Sequence, residues 1–115
     1  MDKLREIEHK RKEAFTWFMD HKSKGYKAVA DMEEPVMSDA ALSRKHKELI
    51  AVGISVTIDC ESCMQWHIEK AVEHGATFEE VLEALDVAIM MGNGATTVRA
   101  RFAMDVMKDV FPSRT

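Results

Sequence analysis

The sequence is poor in the residues that staple or punctuate a fold. Of 115 residues only two are cysteine and two are proline, and both cysteines fall within one short stretch, Asp59 to His67. No second cysteine–histidine cluster exists, so the usual four-ligand structural zinc site lacks half of its ligands. Neither Pro35 nor Pro112 is placed to act as the proline that a thioredoxin-like site keeps beside its thiols. No apolar run approaches the ~18 residues of a membrane span. The N-terminus is charged from Asp2 onward and has no signal-peptide core. A cytoplasmic protein with no membrane partner is expected. Basic surface is also scarce: the formal net charge is −4, which argues against a nucleic-acid partner, since that needs a basic stripe. The one basic cluster, His9 to Lys12, is broken up by Glu6, Glu8 and Glu13, as on a solvated helix face. There is no internal repeat and no low-complexity tract.

What is present points to helices in one domain, residues 1–115. A chain this short buries a modest core, and self-association would help it. Leu4, Ile7, Phe15, Phe18 and Met19 recur at helical spacing and predict one helix over 2–24, stopped by Gly25. Residues 26–38 hold Pro35 and show no clean period, which predicts a loop, with Ser38 capping the next segment. That segment, 40–57, is ambiguous. AALSRKHKEL reads as helix, whereas IAVGISVTI is rich in β-branched residues and fits a buried strand equally well by periodicity. Asp59 can cap a helix over 60–74, ended by Gly75. Thr77 to Glu80 is a capping-box pattern opening another helix, which Gly92-Asn93-Gly94 interrupts or kinks. A last helix covers 95–110. No strand remains to pair with 50–58, and a lone strand cannot satisfy its own backbone. The segment is therefore helical, and the fold class is all-α with about five to six helices.

The chemistry gathers at residues 48–67. With a helix opening at Asp59, Cys60 falls in the first turn and Cys63 just after it, near unpaired amides that stabilise a thiolate. Three residues apart, the sulfurs can form a disulfide. His67 lies one turn beyond Cys63 on the same face and can take a proton from its sulfur. An imidazole in that role needs a partner to fix its tautomer. Glu48, at the edge of the apolar run 49–56, is the candidate; its alternative is an exposed helix charge paired with Arg44 or Lys45. Asp59 and Glu61 oppose a thiolate unless they face solvent.

Lys47-Glu48-Leu49-Ile50, Cys60-x-x-Cys63-x-x-x-His67, Ala71 and Gly75-Ala76-Thr77-x-Glu79-Glu80-Val81 together resemble the carboxymuconolactone decarboxylase superfamily, and within it the alkylhydroperoxidase D-like branch. The resemblance covers roughly residues 40–105. It implies an all-helical bundle, usually a homo-trimer or hexamer, and a peroxidase-type dithiol cycle without a bound cofactor. By position, Cys63 attacks a hydroperoxide, Cys60 resolves the sulfenic acid to a disulfide, and His67 with Glu48 relays the proton. A reductant protein or small thiol then restores the dithiol. The chain departs from the branch at Ser62, where the well-studied members carry a further histidine. The lactone decarboxylases of the superfamily typically lack the cysteine pair. Competing readings of the same residues are a non-catalytic redox sensor and a zinc-binding helical module held by Cys60, Cys63, His67 and Glu48. His46 and His74 read as surface residues, and the methionines, Met90, Met91, Met104 and Met107 among them, as core filler.

Overall fold

The computed structural model describes residues 2–114. They form five α-helices, α1 Lys3–Asp20, α2 Lys24–Met37, α3 Arg44–Thr57, α4 Glu61–Glu73 and α5 Phe78–Val110, then a short 3-10 turn, Pro112–Arg114. No strand occurs among the described residues, so the ambiguous segment is a helix and the all-α reading holds. The chain divides into two compact units at the Asp39–Ala40 junction.

The first unit is the pair α1 and α2. Residues 26–38, expected as a loop, are helix instead. Pro35 lies in the last turn of α2, two residues before it ends, so its missing N–H costs only one bond there. Val29, Met32 and Val36 do recur at helical spacing, but all three are exposed, and Met37 is the buried residue of α2. Phe18 stacks on Tyr26 at 4.3 Å between ring centroids, joining the two helices.

In the second unit α3 packs against both α4 and α5. Glu48, Val52, Ser55 and Val56 face inward, while Ile50, Ile54 and Ile58 line an exposed face. Apolar residues thus lie on two sides of α3, which is why its run shows no helical period. Gly53 passes close to Ala84 and Ala88 of α5.

Three corners of the chain use one device. After α3, Asp59 takes a left-handed conformation (φ 57°), its N–H bonds Val56 O, and the Cys60 N–H bonds Ser55 O. This is the Schellman arrangement that closes a helix C-terminus. After α1, Lys22 and Ser23 do the same with Met19 and Phe18; after α4, Gly75 and Ala76 do so with Val72 and Ala71. Only the last corner uses glycine. The α1 stop therefore falls at Lys22 rather than Gly25, which lies inside α2. Ser38 ends α2, and Ser43 caps α3.

α5 is not a straight rod. At 1.5 Å per residue its ends would lie roughly 50 Å apart if straight. Yet Phe78 and Phe111 meet edge to face at 5.5 Å, and Arg114 pairs with Glu79. The chain reverses at Asn93 (φ 58°, ψ −139°), so α5 is a hairpin of two limbs, 78–92 and 94–110. Its start carries the expected capping box: Thr77 Oγ1 accepts from Glu80 N, and Glu80 Oε1 accepts from Thr77 N. Lys45 Nζ donates to Glu80 Oε2 at 2.9 Å, tying α5 to α3.

Two outcomes are expected. A Cβ at Gly92 would run into Thr96 Oγ1 and lie 3.0 Å from Thr96 Cβ, and Thr96 is 1% exposed. Gly92→Ala should lower stability by about 1–3 kcal/mol, as overpacking does, read from the urea midpoint; an unchanged midpoint would show that the turn gives way freely. The Lys45 hydrogen bond, then the Thr77 amide, holds the Glu80 carboxyl below its ordinary value of 4.5. That support is complete above 4.5 and is lost as pH falls through the lowered value. The protection factors of the first-turn amides of α5, taken against the intrinsic exchange rate at each pH, should therefore fall on acidification, and Glu80→Gln should remove most of that dependence.

Candidate functional site

The site is built on α3, α4 and the corner between them. Cys60 is the last residue of the Schellman closure of α3 and at once the N-cap of α4. It lies one position earlier in α4 than the sequence suggests, because the left-handed Asp59 belongs to the corner and cannot serve as the cap. As N-cap, Cys60 Sγ accepts the Cys63 backbone N–H at 3.2 Å. Cys63 then occupies the third helical position, inside the first turn. The two are joined as a disulfide, with Cα atoms 5.2 Å apart. Arg99 Nη1 donates to Thr57 O at 2.8 Å, and its Nε lies 3.9 Å from Asp59 Oδ2. The Asp59 carboxylate beside Cys60 is thus both 58% exposed and faced by a cation.

His67 follows Cys63 by one turn on the same face of α4. Its Nδ1 lies 2.7 Å from Glu48 Oε1. Glu48 comes from α3 and is fully buried, at 0% exposure. Its other oxygen, Oε2, accepts from Arg44 Nε at 2.8 Å, one turn earlier on α3. Burying a carboxylate is costly unless its oxygens are matched, and here both are. In a neutral imidazole, a carboxylate facing Nδ1 selects the tautomer with the proton on that nitrogen and the lone pair on Nε2. The surface alternative for Glu48 is corrected in part: it does pair with Arg44, but inside the protein. Lys45 is engaged elsewhere, by Glu80.

The four expected residues therefore fall on two adjoining helices, as a disulfide and a Glu48–His67 pair. Met64 is wholly buried in the core, and Trp66 is half-buried under the Lys70 ammonium, 4.6 Å from the ring centroid. His74 bonds its own helix at Lys70 O, and His46 bonds Ser43 Oγ, so neither extends the pair. The sequence expectations do not include Arg44 as a partly buried partner, or Gln65, which is fully buried on α4. Arg44 was legible in principle: an arginine four residues before a glutamate at the rim of an apolar run. Met90, Met91 and Met104 are exposed, not core filler; Met107 is buried. Among the described residues no group of three or more histidine, cysteine or acidic side chains is arranged to hold a metal ion. No described helix is long and apolar enough to cross a membrane.

Removing the carboxylate should be expensive. Glu48→Ala takes the carboxylate away from Arg44 and His67 and is expected to cost about 3 kcal/mol of stability, the scale for breaking a buried ion pair. Urea unfolding measures it, and a loss below about 1 kcal/mol, the surface-pair scale, would mean the pair is solvated.

The sequence pattern of the carboxymuconolactone decarboxylase family matches residues 24–106. An uncharacterised protein from the cox locus of Paracoccus denitrificans is 34% identical over 83 residues, 72% of this chain and 75% of that one. An uncharacterised Cupriavidus necator protein is 38% identical over 66 residues, 57% of this chain and 58% of that one. Among solved structures, a carboxymuconolactone decarboxylase family protein from Legionella pneumophila superposes with a TM-score of 0.87 at 28% identity, covering 95% of this chain and 97% of the other. A member of the family from Thermotoga maritima, for which a part in the antioxidative response has been suggested, superposes with a TM-score of 0.84 at 24% identity over 95% and 92% of the two chains; that likeness is one of fold. With the family pattern spanning most of the sequence and the helical fold shared along nearly all of it, the chain belongs to the carboxymuconolactone decarboxylase family.

Proposed function

We propose that the chain is a thiol-dependent peroxidase of the alkylhydroperoxidase D-like branch, acting in the cytoplasm on hydroperoxides. The observation that carries this reading is a vicinal cysteine pair at the mouth of α4 with a histidine one turn on, itself bonded to a buried carboxylate at 2.7 Å. This is the nucleophile, base and orienter of covalent catalysis.

In the reduced protein His67 Nε2 takes the proton of the Cys63 thiol. The thiolate attacks the terminal oxygen of a hydroperoxide, ROOH. An S–O bond forms and the O–O bond breaks. Cys63 becomes a sulfenic acid, and the alkoxide takes the proton from His67 to leave as ROH. The Cys60 sulfur then attacks Cys63, expelling water and forming the disulfide. Two electrons and two protons from a dithiol protein or two small thiols restore the start. The helix N-terminus assists the sulfur at Cys60, because the Cys63 N–H points to it. A thiolate there is a better leaving group when a reductant attacks Cys63. Ser62, where better-known members carry histidine, leaves Glu48 and His67 as the proton relay of this chain. No bound cofactor takes part. Exposed apolar side chains, including Ile50, Ile54 and Ile58 on α3 and Val87, Met90 and Met91 on α5, suit assembly into a homo-oligomer, a trimer or hexamer.

The test is thiol loss in the fully reduced protein after adding an organic hydroperoxide. Two thiols should disappear per peroxide, faster than from free cysteine. Cys63→Ser should abolish the reaction, and Cys60→Ser should leave a sulfenic acid on Cys63, trapped by a dimedone-type reagent. Full peroxide consumption by Cys63→Ser would sink the assignment. Loss of thiols only once, with no turnover under any dithiol reductant, would favour a redox sensor.

A further inference from the structure

We infer that Arg44 is a positioning residue of this site, acting through Glu48 to keep His67 a neutral base. The inference rests on the dithiol reading for its kinetic consequence, but its structural core is independent of peroxide chemistry.

Charge has to balance in a buried place. Glu48 has no solvent exposure, and the groups facing its two oxygens are Arg44 from its own helix and His67 from α4. The Arg44 side chain is itself only 13% exposed. A buried carboxylate must be neutralised, either by an opposite charge or by a proton. Arginine is always charged and so supplies the neutralising charge permanently. With it in place, the Glu48–His67 pair needs no extra proton, and the imidazole keeps its Nε2 lone pair. Without it, the only cation the pair can make is the imidazolium. The pair then holds one more proton, and His67 cannot accept another from Cys63. A salt bridge that merely held α3 together would not control the protonation of a residue on α4. The link from Arg44 to Glu48 also has a fixed direction: Nε binds Oε2 at 2.8 Å, which leaves Oε1 aimed at the ring. The route from Arg44 to the imidazole runs through the carboxylate, whose other oxygen faces the ring.

Two measurements test this on the full chain at neutral pH. The first is the ring-nitrogen NMR spectrum of His67 in the oxidised protein, which needs no activity. The parent and Arg44→Lys should show a neutral ring with the proton on Nδ1. Arg44→Met should show a doubly protonated ring. A neutral ring in Arg44→Met would overturn the inference. The second is a mutant cycle on thiol loss with an organic hydroperoxide. Arg44→Met should slow the parent at least about tenfold, within the range a general base supplies, and Arg44→Lys should recover most of that. In the Glu48→Gln background, Arg44→Met should slow the reaction no further. An equal slowing in both backgrounds would make Arg44 a structural residue and overturn its action through Glu48. Should Arg44→Met fail to fold, Arg44→Met with Glu48→Gln carries no buried charge to strand; its ring should be neutral, and a doubly protonated ring there would refute the charge argument. If the parent consumes peroxide no faster than free cysteine, the peroxidase reading falls while the spectroscopic outcome still decides the role of Arg44.

Discussion

A carboxylate with no access to water is the constraint around which the second unit is arranged. Glu48 has to be answered on both oxygens, and the answers come from different helices: Arg44 one turn back on α3 and His67 on α4. This pins the two helices in register through polar contacts, while Val52 and Val56 on α3 and Met64, Ile68 and Ala71 on α4 fill the apolar space nearby. Area burial alone tolerates sliding, whereas the 2.7 Å contact from Glu48 to His67 does not, and the 2.8 Å bond to Arg44 within α3 holds the carboxylate that makes it. The same contacts that cost desolvation thus fix where the imidazole stands relative to the cysteines on its own helix. Stability and chemistry draw on one set of atoms.

The helical class was legible in the sequence, and so was the grouping of the cysteine pair with His67, for physical reasons that can be named. Elimination decided the class: with no second strand available, residues 50–58 had to be helix. The gathering of three candidate residues was legible because spacing on a helix translates directly into faces, so that Cys60, Cys63 and His67 fall together at the start of α4. What was not legible were the boundaries and α2. Glycine marks a left-handed corner in sequence, but the corners at Lys22 and Asp59 are made by residues with no such signature, held by backbone bonds of the helices they close. Reading Gly25 as a stop and Pro35 as a breaker then erased a helix whose apolar stripe is real but largely exposed. The burial of Glu48 was the other blind spot. A charge at the rim of an apolar run can face either way, and only the fold, by bringing His67 against it, decides.

The reversal of α5 shows the reverse case, where local sequence dictates a large-scale feature. Gly92-Asn93-Gly94 breaks one periodic pattern into two, and the limbs lie back to back so that Phe78 meets Phe111. Between them runs an apolar cleft of about 330 Å³, lined by Leu82, Leu85, Ile89, Met104 and Met107. The closeness of Gly92 to Thr96 explains why a side chain is missing at that point.

Cys60 belongs to two helices at once. Its amide completes the closure of α3, and its sulfur caps α4. Any preference of that cap for a thiolate, a thiol or a disulfide sulfur adds to the free energy of the redox couple, and by linkage the same amount returns as a change in how firmly α4 begins. Electron transfer at the pair and fraying at the helix end are therefore one equilibrium seen from two sides. With Cys60 shared by both helix ends, there is no slack linker to absorb the difference before it reaches α3 and the carboxylate it carries.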